Sequence, residues 1–563
     1  MQIRRLKIRA YRGLGEFEWN PRSGLNCLIG PGDAGKSTVL SAISLLLSPN
    51  PSPAASEFDY HKRELDAGFE IEAVLACIDD DALSSLRVPV LNGWNNAGLT
   101  GLPEEEGSEQ VLVGRVLGSP ELEVMHQLVP PSDEPRPFPA SLRQRLPYAR
   151  IAAGEWASRE FRLGRGSLLE KHIGGSELRG QLRQLIAEAS TSLDLPEDIE
   201  ERVAKLQQLF RQGGLPEHLL LGVITPAGTT LSGLVGLLTG EQPEAAIPLA
   251  FSGAGTRNLA LFRLATALAA SVPLVVFDEP EVGLEPYRQR ALIAKLRELV
   301  ADGGQAFLTT HSPAILEALD PDEVWRVVPG GSPTPLGDSP AADLLREAPG
   351  AFLSKLPVLC EGPTEAGFLR PILDHLAQET GSSGIDAFGV HLVSRKGQPS
   401  VLNETQSLTA MNMRAGLFVD AEDKHGGTRD QLSESANCCF GSWKEAGVRN
   451  VEEAVALHLP TSVLLRVLAL AADLDGRGED RLRQQVNERA SRPGKQTLDD
   501  LVDQVGEEEA RRALAQAMNE CGWFKDEERG RALGSLLVEV GLPDPIASVC
   551  RAFWAELQRG LGM

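Results

Sequence analysis

The chain contains 563 residues, 42% of them hydrophobic, and carries a formal net charge of −23. This length predicts more than one hydrophobic core and roughly two to four domains. No apolar run approaches the ~18 residues of a membrane-spanning helix and no basic-then-apolar leader is present, so the sequence favours a cytoplasmic protein without a membrane segment. Lys and Arg make most protein contacts with phosphates. The negative charge therefore disfavours a broad nucleic-acid-binding surface, and DNA binding would require local basic surfaces or bridging metal ions.

A phosphate-binding loop is predicted near the start of the chain. Residues 3–9 alternate apolar and charged side chains, as an edge-like strand with one buried face does. The next predicted strand, Leu25–Ile29, leads into the sequence GPGDAGKS and an apolar helix through Leu47. A GxxxxGKS pattern between a strand and a helix is typical of nucleotide-binding proteins, and a chance glycine-rich turn is the weaker interpretation. The predicted nucleotide-binding residues are Gly30, Gly32, Gly35, Lys36, Ser37 and Thr38, with Ser37 also a Mg²⁺ ligand.

The middle of the first half is predicted to contain strands and then a helical insertion. Strands are expected at Phe69–Ala76 and Val111–Val116. Residues 155–245 are more polar, with apolar residues at helical spacing in Glu177–Ala189 and Glu197–Arg211. We interpret 155–245 as a helical insertion in a nucleotide-binding domain and as a possible dimerisation region.

A second set of nucleotide-associated residues follows this insertion. Ser252, Gly253 and Gly255 open a helix predicted over Asn258–Ala270, where free backbone amides could meet a phosphate, although an ordinary helix cap also fits. The apolar run from Pro273 then predicts a buried parallel strand that ends in two carboxylates.

The two carboxylates at the end of this strand are Asp278 and Glu279. Asp278 is predicted to hold Mg²⁺ and Glu279 to polarise the attacking water, rather than forming a solvated acidic pair. The next strand, predicted over 305–310, ends at His311, which could contact the γ-phosphate or be merely structural.

In this order, the phosphate loop, the SGAG turn, the strand ending in DEP and the segment TTHS resemble the ABC-type ATPase heads of RecF, SMC and Rad50 proteins. The resemblance implies ATP and Mg²⁺ as cofactors and an ATPase domain made of residues 1–154 and 246–340. It also implies a homo-oligomer, most simply a dimer, because Ser252 and Gly253 of one head would face the nucleotide of another. Arg12, in the sequence Tyr-Arg-Gly, resembles an arginine that such ATPases place near the nucleotide.

The second half predicts another parallel α/β arrangement that gathers acidic residues. The strand Leu356–Cys360 is followed by Glu361 and, in the first turn of the next helix, by Glu365. Either acid could simply stabilise the helix N-terminus, but the two could also converge on one cation. Further strands are predicted at Ala387–Val393 and Ala415–Asp420, and Asp420 is followed by Glu422 and Asp423. Such acids at one sheet edge could bind two Mg²⁺ or Mn²⁺ ions for phosphodiester hydrolysis.

Glu361-Gly-Pro-Thr-Glu365 resembles the first acidic motif of the Toprim domain, and Asp420 with Glu422 resembles the second, although Asp423 is an alternative to Glu422. The resemblance also implies a metal-ligating role for Glu452, with Glu453 as the alternative, and a catalytic role for Lys525. The Toprim domain would span 352–563, with a helical insert at about 460–520.

An ATPase joined to a Toprim domain in this order resembles the OLD (overcoming lysogenization defect) nucleases. This resemblance implies an α/β fold and an ATP- and metal-dependent DNA endonuclease in phage defence or DNA repair. It also implies DNA as substrate and, for some members, a UvrD-like helicase as partner.

Two other functions use the same motifs. A Toprim topoisomerase needs a tyrosine nucleophile, but all four tyrosines lie in the first half, at Tyr11, Tyr60, Tyr148 and Tyr287. The negative charge and the irregular second acidic motif favour instead an ATPase that tethers DNA without cleaving it. The sequence favours the endonuclease over both.

Overall fold

The chain folds into two compact units, Met1–Gly337 and Asp338–Met563. The computed structural model describes residues 1–50, 53, 55–76, 91–95, 98–101, 107–131, 134–151, 160–162, 167–173, 197–212, 215–216, 218–223, 235–240, 246–267, 273–337, 339–421, 431, 438–476, 478–492 and 494–563. The division falls in the Pro- and Gly-rich segment 329–340, and the other domain limits stay predictions.

An antiparallel sheet begins the first unit. Its strands are β1 Gln2–Tyr11, β2 Leu14–Trp19, β4 Phe69–Ala76, β5 Leu91–Asn95, β6 Gly98–Gly101, β7 Glu109–Gly118, β8 Val124–Leu128 and β9 Arg136–Pro137. Strand β1 pairs with both β2 and β4, so the prediction of an edge-like strand was wrong. Its charged side chains do not need an edge, because Lys7 lies opposite Glu18 on β2 and Glu72 on β4.

The second sheet of this unit carries the nucleotide motifs. Its strands are β3 Gly24–Ile29, β10 Tyr148–Ile151, β14 Leu274–Phe277, β15 Gln305–Thr309, β16 Val324–Arg326 and β17 Thr334–Pro335. The order is β10-β14-β15-β3-β16-β17, and all neighbours run parallel except β16 and β17. The carboxyl ends of β14, β15 and β3 therefore meet at one edge, where ligands bind in open α/β sheets.

Helix α1, Lys36–Leu46, contacts strands of both sheets and closes the core between them. The core includes the edge-to-face pairs of Trp19 with Phe307 and with Trp325, each with ring centroids 5.4 Å apart. Burial of such large apolar side chains is the main favourable contribution to folding. The phosphate loop, which precedes α1, is thereby fixed to a rigid support.

The segment 155–245 is not wholly helical in its described part. It contains two helices, α3 Leu168–Ile173 and α4 Glu197–Gln212, and the strands β11 Leu219–Val223 and β12 Val235–Thr239. Strand β12 pairs with β11 on one side and with β13 Ile247–Pro248 on the other. The strands were missed because Leu219–Val223 is short and uniformly apolar, a pattern that does not distinguish strand from helix. The predicted helix Glu177–Ala189 lies outside the described residues. The remaining helices of the unit are α2 Ala140–Arg145, α5 Ala254–Ala267, α6 Pro286–Val300 and α7 Pro313–Ala318.

The second unit is built on a parallel sheet, as the sequence predicted, but with a fourth strand beyond the three predicted ones. Its strands are β18 Leu356–Cys360, β19 Val390–Ser394, β20 Ala415–Val419 and β21 Cys438–Ser442, in the order β19-β18-β20-β21. Strand β19 begins later than predicted, because Ile385–Phe388 forms a 3-10 turn. The helices are α8 Ala341–Glu347, α9 Gly350–Leu353, α10 Pro363–Glu379, α11 Gln398–Ala410, α12 Val451–His458, α13 Thr461–Asp475, α14 Glu479–Arg489, α15 Leu498–Val505, α16 Glu507–Glu520, α17 Glu527–Glu539 and α18 Ile546–Leu561.

Shorter 3-10 turns occur in both units, at Glu57–Asp59, His61–Arg63, Leu65–Ala67, Leu249–Phe251, Pro321–Glu323 and Trp443–Ala446. Within the described ranges, no single helix is long and apolar enough to cross a membrane. One pair of helices, Trp443–His458 and Thr461–Asp475, reaches that length and composition only together, and it is bent by 114°.

Candidate functional site

The phosphate loop lies between β3 and α1, where the sequence placed it. Gly30 has a φ of +150°, and a Cβ atom at this position would come 2.2 Å from the carbonyl oxygen of Val327. Gly35 has a φ of +91°, and its Cβ would come 2.6 Å from the side chain of Leu14. Only glycine tolerates both the backbone angles and the close contacts. Gly32 is exposed with open space around it, and Thr38 is partly exposed on the first turn of α1.

Lys36 folds back onto the loop that precedes it. Its Nζ donates hydrogen bonds to the carbonyl oxygens of Gly30 and Pro31, both at 2.9 Å, and the residue is only 6% exposed. Burial lowers the pKa of Lys36, while the nearby carboxylates of Glu279 and Asp278 oppose that shift. The ammonium group and the predicted catalytic carboxylates thus share one electrostatic environment.

Asp278 links the phosphate loop to the neighbouring strand. Its Oδ1 accepts hydrogen bonds from the hydroxyl of Ser37 at 3.0 Å and from the hydroxyl of Thr309 at 2.5 Å. Thr309 Oγ1 also accepts a hydrogen bond from the backbone N–H of Glu279 at 3.1 Å. Thr309 was not among the predicted site residues, although its place at the end of a strand beside the acidic one could have identified it. A serine hydroxyl beside an aspartate carboxylate fits the oxygen ligands that Mg²⁺ requires.

Glu279 and His311 lie together beside this pair. Their side chains are about half exposed, and His311 Nε2 lies 4.0 Å from Glu279 Oε1. Glu279 adopts a φ of +47°, which is unusual for a residue other than glycine and costs on the order of 1–3 kcal/mol. Such strain is common where a side chain must be aimed at a ligand.

The SGAG turn packs on the loop that follows Glu279. A Cβ atom on Gly255 would lie 2.1 Å from the carbonyl oxygen of Gly283, so the two backbones touch. Asn258 Nδ2 donates a hydrogen bond to the carbonyl oxygen of Val282 at 2.8 Å. Ser252 precedes the helix and is partly exposed, and Gly253 is exposed with nothing near its Cβ position. The start of α5 is therefore free to meet a ligand but firmly attached to the loop behind it.

Arg12 lies at the tip of the β1–β2 hairpin. Its Nε donates a hydrogen bond to Asp59 Oδ1 at 2.9 Å, and its backbone N–H donates to the Asp59 carbonyl oxygen, also at 2.9 Å. Arg12 lines a cavity of about 480 Å³ together with Phe58, Lys62 and Arg63. Leu14, on the same hairpin, packs against Gly35, so the hairpin contacts the phosphate loop.

In the second unit, the ends of β18 and β20 bring two predicted acids together. Glu361 Oε2 accepts hydrogen bonds from the backbone N–H of Asp420 and from Gln398 Nε2, both at 3.0 Å. Gln398 is 2% exposed, and its Nε2 also lies 3.4 Å from the Asp420 carbonyl oxygen. Sequence reasoning missed Gln398. Its position at the start of a helix that follows a parallel strand was the available signal.

Two more predicted acids are buried beside the first pair. Glu365 and Glu452 are 7% and 1% exposed, and Lys525 Nζ lies 3.1 Å from Glu452 Oε1. Burial, together with the charges of Glu452 and Glu361, raises the pKa of Glu365 to about 7, and Lys525 opposes the shift. Residues that are remote in sequence thus form one acidic group with a single lysine against it.

Close packing of two helices holds Lys525 in this position. Lys525 precedes α17, and a Cβ atom on Gly367 of α10 would lie 2.1 Å from the carbonyl oxygen of Glu527. Gly534 of α17 comes equally near the backbone of α10, at 2.3 Å from the Phe368 carbonyl oxygen. The hydroxyl of Thr364 donates a hydrogen bond to the Phe524 carbonyl oxygen at 2.9 Å.

The acids that follow Asp420 in the second Toprim-like motif lie outside the described residues. Glu422 and Asp423 fall in 422–430, outside the described residues. In the part of the chain that the structure describes, no group of three or more His, Cys, Asp or Glu side chains is arranged to hold a metal ion. The chemistry of Glu361, Glu365, Asp420 and Glu452 nevertheless fits a hard divalent cation, because buried carboxylates need positive charge nearby.

Comparison with known proteins defines the class of the first unit. Residues 1–84 match the family described as "AAA ATPase domain", and residues 117–317 match "AAA domain, putative AbiEii toxin, Type IV TA system". Together with the phosphate loop and the Asp278 site, these matches identify an ATPase head of the AAA and ABC type, for which ATP is the expected nucleotide.

The chain is similar to named curated proteins over much of its length. The DNA replication and repair protein RecF from two strains of Brucella abortus and from Brucella melitensis is 24% identical over 385 residues, which is 59% of this chain and 96% of each relative. The chain is thus similar to RecF over nearly the whole length of these relatives.

Three solved SMC heads also match, at low similarity. The Smc head bound to the C-winged helix domain of ScpA has a TM-score of 0.37 and 12% identity over 59% of this chain and 96% of that chain. A Smc head from Pyrococcus furiosus has a TM-score of 0.35 and 13% identity over 61% of this chain and 98% of that chain. An SMC head from Thermotoga maritima has a TM-score of 0.29 and 13% identity over 60% of this chain and 99% of that chain. These values are too low to bear on the function.

Proposed function

We propose that this chain is a divalent-metal-dependent DNA endonuclease of the OLD type, in which the ATPase head controls a Toprim-like second unit. The proposal rests on the acidic group formed by Glu361, Glu365 and Glu452, with Lys525 next to it. These residues come from separate parts of the sequence and serve no evident packing purpose. Isolated buried carboxylates are costly, and a function that uses their charge explains why they lie together.

In the head, the proposed roles follow from the contacts. Lys36 would reach the terminal phosphates with the N–H donor that the loop carbonyls leave free, and Ser37 with Asp278 would hold Mg²⁺. Glu279 would orient the attacking water, and His311, 4.0 Å from it, would contact the γ-phosphate region. Arg12 would contribute positive charge from the β1–β2 hairpin.

In the second unit, Glu361, Glu365, Asp420 and Glu452 would hold one or two Mg²⁺ or Mn²⁺ ions, with Glu422 as a further ligand. Bound metal ions of this kind lower the pKa of water and stabilise the leaving oxygen of a phosphodiester. Gln398 fixes the orientation of the Glu361 carboxylate, and Lys525 would neutralise a phosphate oxygen as charge develops.

The proposed partners are DNA and a second copy of the chain. Phe251 and Tyr287 are 75% and 62% exposed, and both flank the contact between the SGAG turn and the loop behind it. A second head placed there would cover these side chains and bring Ser252 to its nucleotide. Phage defence or DNA repair, and a UvrD-like helicase partner, remain part of the proposal through family resemblance.

Plasmid cleavage tests the proposal directly. Supercoiled plasmid is incubated with the wild type, Glu361→Ala and Lys36→Ala, with Mg²⁺ or Mn²⁺ and with or without ATP. We expect the wild type to nick the plasmid. In Glu361→Ala the nicking rate should fall by about 10²-fold or more, because the variant lacks a metal ligand. Lys36→Ala should lose only the response to ATP. An intact plasmid with the wild type under all these conditions would refute the endonuclease.

A DNA-tethering ATPase is the second candidate. It is favoured by the net charge of −23 and the irregular second acidic motif, and by similarity to proteins named for DNA replication and repair. In the same experiment it predicts ATP-dependent retention of plasmid by the wild type without nicking in either metal. Relaxed, religated circles would instead indicate a topoisomerase.

A further inference from the structure

Glu281 lies on the loop between β14 and α6, two residues after Glu279. Its Oε1 accepts a hydrogen bond from the backbone N–H of His311 at 2.6 Å. Partial burial of the carboxyl group raises its pKa, and hydrogen bonds from the His311 backbone and the Thr310 side chain oppose that shift. A short hydrogen bond to a partly buried carboxylate is among the stronger polar contacts available to a protein.

The His311 end of this contact belongs to the hydrolysis site. The histidine side chain is 50% exposed and extends from the anchored backbone to within 4.0 Å of Glu279. Because β15 ends at Thr309, the ladder of the sheet no longer fixes the backbone at 311. The Glu281 carboxylate takes over that function at the point where the chain leaves the sheet.

The residues that follow Glu281 on this loop contact the SGAG turn and the helix that begins there. Val282 accepts the hydrogen bond from Asn258, and Gly283 touches Gly255. Gly283 has a φ of +77°, so this close approach depends on glycine at both positions. The loop is therefore fixed to the start of α5 on one side and to the backbone of His311 on the other.

We propose that Glu281 is a positioning residue for ATP hydrolysis, which couples the position of the SGAG turn to that of the His311 side chain. When the start of α5 moves against a ligand, the loop moves with it and carries the Glu281 carboxylate. The His311 backbone follows through its hydrogen bond. Glu281 itself touches neither nucleotide nor water in this role, and it acts on hydrolysis only through His311.

Steady-state ATP hydrolysis tests the role with Glu281→Ala, Glu281→Gln, His311→Ala and the double variant. In Glu281→Ala we expect kcat to fall about tenfold with KM within twofold, which is the effect of one lost hydrogen bond to a charged group. Glu281→Gln keeps an acceptor oxygen and should restore kcat to within about twofold of the wild type. Glu298→Ala, whose side chain is 65% exposed on α6, is the matched control and should be unchanged.

The double variant decides whether Glu281 acts through His311. If it does, adding Glu281→Ala to His311→Ala lowers kcat no further, because coupled residues are not additive. An additive loss, or a Gln variant as slow as the Ala variant, overturns the proposal. A kcat of Glu281→Ala equal to that of the wild type also overturns it. Thermal unfolding of each variant separates a local effect from loss of the fold, and absence of turnover by the wild type would refute both hydrolysis and this role.

Discussion

Glu365 is a single carboxyl group whose surroundings change its titration. It is buried beside Glu452 and Glu361, and its pKa is raised from 4.5 to about 7. Between these two pH values the unfolded chain has lost the proton while the folded chain keeps it. Glu365 therefore contributes stability that is fully present below pH 4.5 and is lost as the pH rises through about 7.

Replacement of Glu365 by Gln should remove this pH dependence. The free energy of unfolding of the wild type, relative to Glu365→Gln, should fall as the pH rises from 4.5 to 7, by on the order of 1.4 kcal/mol for each unit of pKa difference. Urea unfolding of both proteins at several pH values, without divalent cations, measures this difference in the free energy of unfolding. Glu539→Gln, at an exposed carboxylate, is the control and should run parallel to the wild type. Parallel profiles for Glu365→Gln would contradict the burial argument.

At the scale of elements, helices α10 and α17 owe their close approach to glycine. Gly367, Gly530 and Gly534 each leave no room for a Cβ atom against the backbone of the other helix. Their contact places Lys525, just before α17, against Glu452 on α12. The three glycines thus have a packing role that bears on the position of Lys525.

Gly367→Ala should therefore disturb both stability and the Lys525 contact. The added methyl group would come 2.1 Å from the Glu527 carbonyl oxygen, so the helices must separate. We expect a loss of about 1–3 kcal/mol in the free energy of unfolding, as for other overpacked sites. Urea unfolding measures it, with Ser535→Ala on the exposed face of α17 as the control. Equal stability of Gly367→Ala and the wild type would show that the helices can move apart without cost.

Elements with a strong local pattern were predictable from the sequence. The strand, glycine-rich loop and helix around Lys36 have a fixed order, and the run Leu274–Phe277 is apolar and bounded by Pro273 and Asp278. The strand β11 was not predictable, because a short apolar run fits a buried strand or helix equally well. The edge assignment of β1 failed since pairing partners such as Glu72 are distant in sequence.

The same distinction separates the predicted from the missed site residues. Asp278 and Glu361 follow buried strands, so their charge at a sheet edge is informative. Thr309 and Gln398 are neutral, and only the hydrogen bonds they donate to Asp278 and Glu361 reveal a role. Those contacts depend on tertiary structure and leave little local signal.

At the scale of the whole molecule, the two units carry separate candidate sites. The phosphate loop and its partners lie within Met1–Gly337, and the acidic group lies within Asp338–Met563. Each unit has its own hydrophobic core. Ligands of the two sites should therefore stabilise different parts of the chain.

Calorimetry of the full chain should resolve two unfolding transitions. ATP at about 100 times its Kd should stabilise the first unit by about 2.7 kcal/mol, and Mn²⁺ should raise the midpoint temperature of the transition of the second unit. Lys36→Ala should abolish only the response of the first unit to ATP. Glu361→Ala should abolish only the response of the second unit to Mn²⁺. A single transition that responds to both ligands would contradict independent cores.

The ammonium group of Lys36 donates hydrogen bonds to the carbonyl oxygens of Gly30 and Pro31, and it has a third N–H donor. That donor can meet a phosphate oxygen while the loop keeps the other two hydrogen bonds. The two carbonyl oxygens hold the long side chain in place, so it has little rotamer freedom left to lose when a phosphate binds. The entropic cost of ordering Lys36 is therefore met during folding of the loop and does not weaken the binding of ATP.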